Sequence, residues 1–263
     1  YIYMEQLFPS VEGFNSFLLV MGGIAAFVFV ALHFINAGYG MMYSKRWGLS
    51  VNNRLGWILM ELPAFLLMFV LWYLSPRCFD CVPLVFFLVF EVHYFQRTFI
   101  FPMLMRGSNR IPWLIIIFGW MFNAANAYIQ GGWIFYVSPD DLYTSEWLTR
   151  PCFWLGLTIF IIGFAINLHS DNVIRHLRAP GDTRHYIPRA GLYRYVSSAN
   201  YFGELLEWVG FAVLTWSAAG AMFAIWTFAN LAPRAAKIHK RYAEEFGEEF
   251  TSLHLKRIIP FIY

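Results

Sequence analysis

Charge is scarce in this chain. Only 13% of its 263 residues are Asp, Glu, Lys or Arg, against 59% hydrophobic and 21% aromatic. A water-soluble domain of this size needs far more charge to cover its surface, so the composition excludes that class and indicates a multi-pass membrane protein. Cysteine is scarcer still, with three residues. Cys78 and Cys81 form C-x-x-C in "RCFDC", with Cys152 expected near the same face. A redox motif of this kind belongs beside a βαβ unit and a zinc site needs more ligands, which leaves a disulfide if that face is oxidising. No group of His, Cys, Asp and Glu has metal-ligand spacing, so no metal is expected. A dinucleotide fingerprint is missing too: "GYG" at 38–40 ends an apolar segment rather than a strand, so any dinucleotide must be held another way. The net charge of +3 is too mild to suggest a nucleic-acid partner. The first apolar stretch is followed by many more and does not read as a cleaved signal.

What the chain does have is apolar length. Windows of roughly 20 residues, enough to cross hydrocarbon, fall at about 13–38, 55–75, 82–105, 111–137, 150–174, 198–217 and 219–237. The fold expected is therefore all-α and membrane-integral, with seven transmembrane helices. The last two windows are separated only by "SAAG" (217–220) and are read as a helical hairpin, because one straight helix through both would far exceed a bilayer. Cations gather in alternate loops: Lys45, Arg46 and Arg54; Arg106 and Arg110; Arg175, Arg178, Arg184, Arg189 and Arg194; and "PRAAKIHKRY" after the seventh window. The positive-inside rule then puts the N-terminus outside and the C-terminus in the cytoplasm.

Against that orientation, the polar residues inside the spans share one leaflet. Glu61, in "WILMELPAFLLMFVLW", lies in the cytoplasmic part of the second span, and His93, Tyr94 and Arg97 in that of the third. Asn167 and Asp171 close the fifth; Asn200, Glu204 and Glu207 open the sixth. Ionisable groups in hydrocarbon are expensive and face the bundle interior, so these groups outline a cavity open toward the cytoplasm. At about 100° per residue, Asn167, Asp171 and Arg178 form one stripe if the helix runs that far, and Asn200, Glu204, Glu207 and Trp208 another. Between them lies "RAPGDTRHYIPRAGLYRYVSSAN", in which Pro180–Gly181 is expected to end the fifth helix. Arginines among aromatic rings suit an anionic ligand with a flat ring, a nucleotide cofactor, though such arginines also suit anchoring to anionic lipid. Asp171 could equally neutralise Arg175, Glu91 could pair with Arg97 or His93, and His169 reads as a satisfied core histidine.

The motifs "ELPAF" (61–65), "VHYFQRTFIFPMLMRG" (92–107), "INLHSDNVIRHLRAPG" (166–181), "IPRAGLYRYVSSANYFGELLEWVG" (187–210) and the ending "IPFIY" resemble the steroid 5α-reductases, in order and over nearly the whole chain. The resemblance implies a seven-helix membrane enzyme that reduces the 4,5 double bond of 3-oxo-4-ene steroids with NADPH. It implies a single domain over 1–263, with residues 1–110 on the substrate side and 150–263 holding the cofactor. The C-terminal half alone is similar to a wider group of membrane reductases and isoprenylcysteine methyltransferases. The alternatives are thus another membrane enone or sterol reductase, an S-adenosylmethionine-dependent methyltransferase, or a sterol-binding protein without chemistry.

By the same resemblance Glu61 and Tyr94 face the steroid 3-oxo group. Hydride delivery to an enone β-carbon pushes negative charge onto that oxygen, where donors stabilise it; a tyrosine hydroxyl and a neutral glutamic acid both donate. Protonation of the α-carbon leaves solvent and Tyr94 open as sources. The cofactor contacts carried over are Asn167, Asp171, Arg178, His185, Asn200, Glu204, Trp208, Arg234 and Tyr242, with Trp57 over the pocket and Arg97 and the loop arginines toward the phosphates. Met60 stands where animal members have Gln, His185 where they have Tyr, and Glu91 adds an acid. The partners expected are a steroid arriving from the lipid and membrane lipid itself. The protein is expected to act as a monomer in a bacterial inner membrane or the endoplasmic reticulum membrane.

Overall fold

The computed structural model describes residues 8, 10–35, 38, 40, 43–106, 109–179, 182 and 184–263. Long apolar runs without regular period-2 alternation form helices, and each begins where a cap or proline allows. Helix α1, Val11–Phe34, starts at Ser10, whose Oγ accepts from the Gly13 N–H. Helix α2, Asn53–Tyr73, starts at Asn52, whose side chain accepts from the Arg54 N–H, and it continues through Pro63. Helix α3, Cys81–Leu104, contains one π turn at Gln96–Ile100. Helix α4, Trp113–Gly132, runs into a second π turn, Trp133–Val137. Helix α5, Pro151–His176, opens on a proline whose missing N–H costs nothing at that position. Helix α6, Ala199–Thr215, ends at Trp216, which turns left-handed (φ 47°), and Ser217 caps α7, Ala218–Phe246. The sixth and seventh windows are therefore two helices joined by a tight turn. A short α8, Glu248–Thr251, follows.

Each of the seven windows thus contains a helix, and among the described residues α1, α2, α3 and α5 are long and apolar enough to cross a membrane by length and composition. Helix α6 has 17 residues, α4 carries Asn123, Asn126 and Gln130, and α7 passes from an apolar half into "PRAAKIHKRY". Leu19 and Phe27 of α1, both more than 70% exposed, show the apolar outer surface of a membrane-embedded helix. Helix α5 ends at His176, so Arg178 lies just beyond the stripe that Asn167 and Asp171 share; Pro180 and Gly181 lie outside the described residues. Cys78, Cys81 and Cys152 are all free thiols.

The closest helix pair is α5 with α6, and its cause is glycine. A Cβ on Gly156 would meet the backbone of Leu214, on Gly163 that of Glu207, on Gly203 that of Asn167, and on Gly210 that of Phe160. Backbones can approach this closely only where side chains are absent. Helix α2 packs on α4, and α7 lies between α6 and α1. A two-stranded antiparallel ribbon, β1 (Ser50–Asn52) with β2 (Arg110–Pro112), ties the loop before α2 to the one before α4. The main core fills the centre with Phe86, Phe90, Tyr94, Trp147, Trp208 and Phe211.

Candidate active site

The glycine seam sets the polar ends of α5 and α6 face to face. Asn167 Nδ2 donates to the Asn200 carbonyl at 3.0 Å, and Asn200 Nδ2 donates to Asp171 Oδ1 at 3.2 Å. The other Asp171 oxygen is paired with Arg97 at 3.4 Å. Arg97 comes from the π turn of α3, where the widened helix turns it inward; it is buried, with its guanidinium against the rings of Trp57 (4.7 Å) and Phe101 (4.4 Å), which meet edge to face. One turn earlier, His93 Nδ1 lies 2.6 Å from Glu207 Oε2, both fully enclosed. Asp171 and His93 thus take their partners from other helices, and Arg175 is not the main partner of Asp171.

Glu61 and Tyr94 meet through a residue that the sequence motifs did not flag. Asn123 Nδ2 donates to Glu61 Oε2 at 3.0 Å and to the Met60 carbonyl at 2.8 Å, while its Oδ1 accepts from the Tyr94 hydroxyl at 3.2 Å. Asn126 Nδ2 donates to the same hydroxyl at 2.9 Å, and Gln130 extends the chain to the Ala219 carbonyl. These three amides recur at i, i+3 and i+7 on the face of α4 turned to α2 and α3. That spacing was the available signal. Trp208 lies against the rings of His93 (4.8 Å) and Tyr94 (5.9 Å) and closes the chamber beside them. Half-buried Glu204 acts electrostatically on Glu61, Asp171, Glu207 and Arg97, so four acids surround one guanidinium.

The remaining predicted residues gather nearer the ends of α5 and α7. Tyr242 is buried with Ile187 and Phe250, and burial pushes its phenol up to about 12, with the nearby Arg178 charge opposing the rise. His185 Nδ1 is bound to Glu245 at 2.7 Å, and the Arg234 guanidinium lies 5.4 Å over the ring of Tyr201. Among the loop arginines, Arg184 is held by Asp182 and Arg189 by Glu249, whereas Arg194 sits on the far side of α5 from Asn167 and Asp171. Glu91 pairs with neither Arg97 nor His93. It is buried, both of its oxygens lack a partner, and it lines an apolar cleft of about 480 Å³ between α2, α3 and α5. His169 is exposed rather than a core residue. No metal-binding cluster occurs among the described residues.

The site thus has an enclosed end, where a carboxyl and a phenol converge on one amide, and an end near the loops with arginines and aromatic rings. Such a site can polarise an oxygen at one end and hold an anion at the other. A sequence profile described as 3-oxo-5-alpha-steroid 4-dehydrogenase matches residues 109–263. The chain is 40% identical over 254 residues to 3-oxo-5-alpha-steroid 4-dehydrogenase 1 of Mus musculus, covering 93% of this chain and 95% of that protein. It is 40% identical over 231 residues to the Homo sapiens protein of the same name, covering 87% of each. Identity to steroid 5-alpha-reductase DET2 of Arabidopsis thaliana is 36% over 244 residues, covering 89% and 90%.

Proposed function

The chain belongs to the 3-oxo-5-alpha-steroid 4-dehydrogenase family, and from that premise we propose that it reduces the 4,5 double bond of 3-oxo-4-ene steroids to 5α-3-oxo-steroids, with NADPH as cofactor. The observation that carries the reading is the convergence of Glu61 and Tyr94 on Asn123. Charge developing on an enone oxygen during β-carbon reduction is stabilised by pre-placed donors in a water-poor site. Tyr94 gives its proton to Asn123 and receives a hydrogen bond from Asn126; a steroid oxygen arriving here takes over that O–H by rotation about the phenol C–O bond. Glu61 adds a second donor when its carboxyl is neutral. Asn123 holds both at one point, although it lies outside both the substrate-side segment 1–110 and the cofactor-side segment 150–263.

The residues also fit a nicotinamide dinucleotide, which when bound supplies a hydride. Asn167, Asp171, Asn200 and Glu204 offer amide and carboxyl groups suited to a carboxamide and to ribose hydroxyls. Ser198, at the foot of α6, has a buried hydroxyl without a partner that a ligand would satisfy. At the enclosed end the guanidinium of Arg97 is already committed to Asp171. The phosphates therefore belong with Arg178 and Arg234, beside Tyr242 and His185. Trp57 and Trp208 wall the chamber between the two ends. The Lys and Arg distribution supports seven spans with the N-terminus outside and the site open to the cytoplasm. Incubating the purified protein with NADPH and a 3-oxo-4-ene steroid should yield a product two mass units heavier that co-elutes with the 5α-isomer; its absence, or a methylated product, overturns the reading.

A further inference from the structure

Helix α5 is polar on two faces. One carries Asn167 and Asp171 toward the site. On the opposite face Ile162, Ala165, Ile166 and His169 line up at i, i+3, i+4 and i+7, and together with the 3-10 turn Gly191–Arg194 they form a groove of about 600 Å³. The groove changes character along its length: just over one aliphatic turn, Ile162 to Ile166, then an imidazole, the hydroxyl of Ser170 and the guanidinium of Arg194. From Ile162 to His169 the rise is about 10 Å.

The polar end lacks a partner among the described residues. Arg194 and His169 make no hydrogen bond or ion pair among the described residues, whereas Arg184 and Arg189 in the same loop are each held by an acid. Ser170, 1% exposed and lining the groove, has a hydroxyl with no partner. Gly191 is held at φ +59° directly against the His169 ring, and a Cβ there would strike it, so the turn leaves the imidazole its place at the groove wall.

We infer that this groove binds an anionic phospholipid, its acyl chain along Ile162, Ala165 and Ile166 and its phosphate on Arg194 and His169. The polarity gradient selects this occupant. A free phosphate would gain nothing from the aliphatic turn, and a zwitterionic lipid would bring a cationic headgroup toward Arg194. The guanidinium can bind phosphate oxygens in a bidentate manner, and the Ser170 hydroxyl can donate to a phosphate or glycerol-ester oxygen. The inference stands apart from the steroid chemistry, since the cofactor residues lie on the other face of α5.

Native mass spectrometry of the full chain, released from nanodiscs of equal phosphatidylglycerol and phosphatidylcholine, tests it. The wild type should retain phosphatidylglycerol preferentially. Arg194→Ala should lose about tenfold of that preference, as expected for one charge-assisted contact. Ala165→Trp, which fills the trough from an exposed position, should reduce retention of both lipids. Unchanged unfolding temperatures would show that both variants are folded. Wild-type retention of phosphatidylglycerol by both variants overturns the proposal. So does displacement of the bound lipid by inorganic phosphate with Ala165→Trp unaffected, which would mark an anion site and no lipid groove.

Discussion

Replacing Tyr94 with Phe removes one O–H and leaves the ring between Phe90 and Trp208 in place. If that hydroxyl stabilises charge on the substrate oxygen, Tyr94→Phe lowers turnover by about 10²–10³ while nucleotide affinity stays close to wild type. Arg178→Ala should do the reverse, weakening NADPH by roughly tenfold to a hundredfold for a contact worth about 1.5–3 kcal/mol. Nucleotide binding by fluorescence beside single-turnover reduction separates the two, and the opposite pattern would invert the proposed cofactor orientation. Glu91 gives a different expectation. A buried carboxyl without a partner costs about 1–3 kcal/mol, and an apolar side chain of similar volume removes that cost. Glu91→Leu should therefore raise the unfolding temperature by a few degrees with steroid reduction retained, and a fall in that temperature would show that Glu91 contributes stability. Helical period put Asn167 and Asp171 on one stripe and Asn200 on another, and it is the fold that brings the two together. The sequence could not supply the partners of His93 and Arg97, which lie 114 and 74 residues away. Nearness in sequence had suggested Glu91, which the fold turns toward an apolar cleft instead.

Among the helices, the α5–α6 seam has four glycines whose neighbours are backbone. The atoms facing Gly203 and Gly163 are backbone, so an added side chain cannot be accommodated by a rotamer change. Gly203→Val should open the seam where Asn167 meets Asn200, reducing nucleotide binding and lowering the unfolding temperature. Gly23→Val in α1, where nothing lies within 4 Å, serves as the control and should be silent. Equal unfolding temperatures for both would mean the seam is not as tight as drawn. Four helix starts, Val11, Asn53, Pro151 and Ala218, fall within two residues of the apolar windows read from the sequence. The π turn at Gln96–Ile100 was not legible, since residue composition does not separate a π turn from an ordinary helical turn. The α4 amides escaped for another reason: Asn123, Asn126 and Gln130 sit in a segment without charge, where a search centred on ionisable groups passes over them.

For the whole molecule, the seven-span arrangement predicts that single cysteines at positions 46 and 240, in a chain lacking Cys78, Cys81 and Cys152, are labelled from the cytoplasmic side, and one at 140 from the opposite side. Labelling of 46 and 240 from opposite sides would remove a span from the proposal. Helix α7 has 29 residues, so it is about 43 Å long, against roughly 30 Å of hydrocarbon. Lys237, far along it, donates from Nζ to the Ile35 carbonyl at the end of α1 at 2.8 Å. That bond adds a polar tie to the packing of α1 on α7. Tilting is one way a helix meets a bilayer of mismatched thickness, and α7 packs on α6, which carries Asn200 and Glu204 at its foot. Lipid chain length thereby becomes a variable of the chemistry: a tilt of α7 reaches the foot of α6 and, through Gln130 on the Ala219 carbonyl, the α4 amides that hold Tyr94 and Glu61.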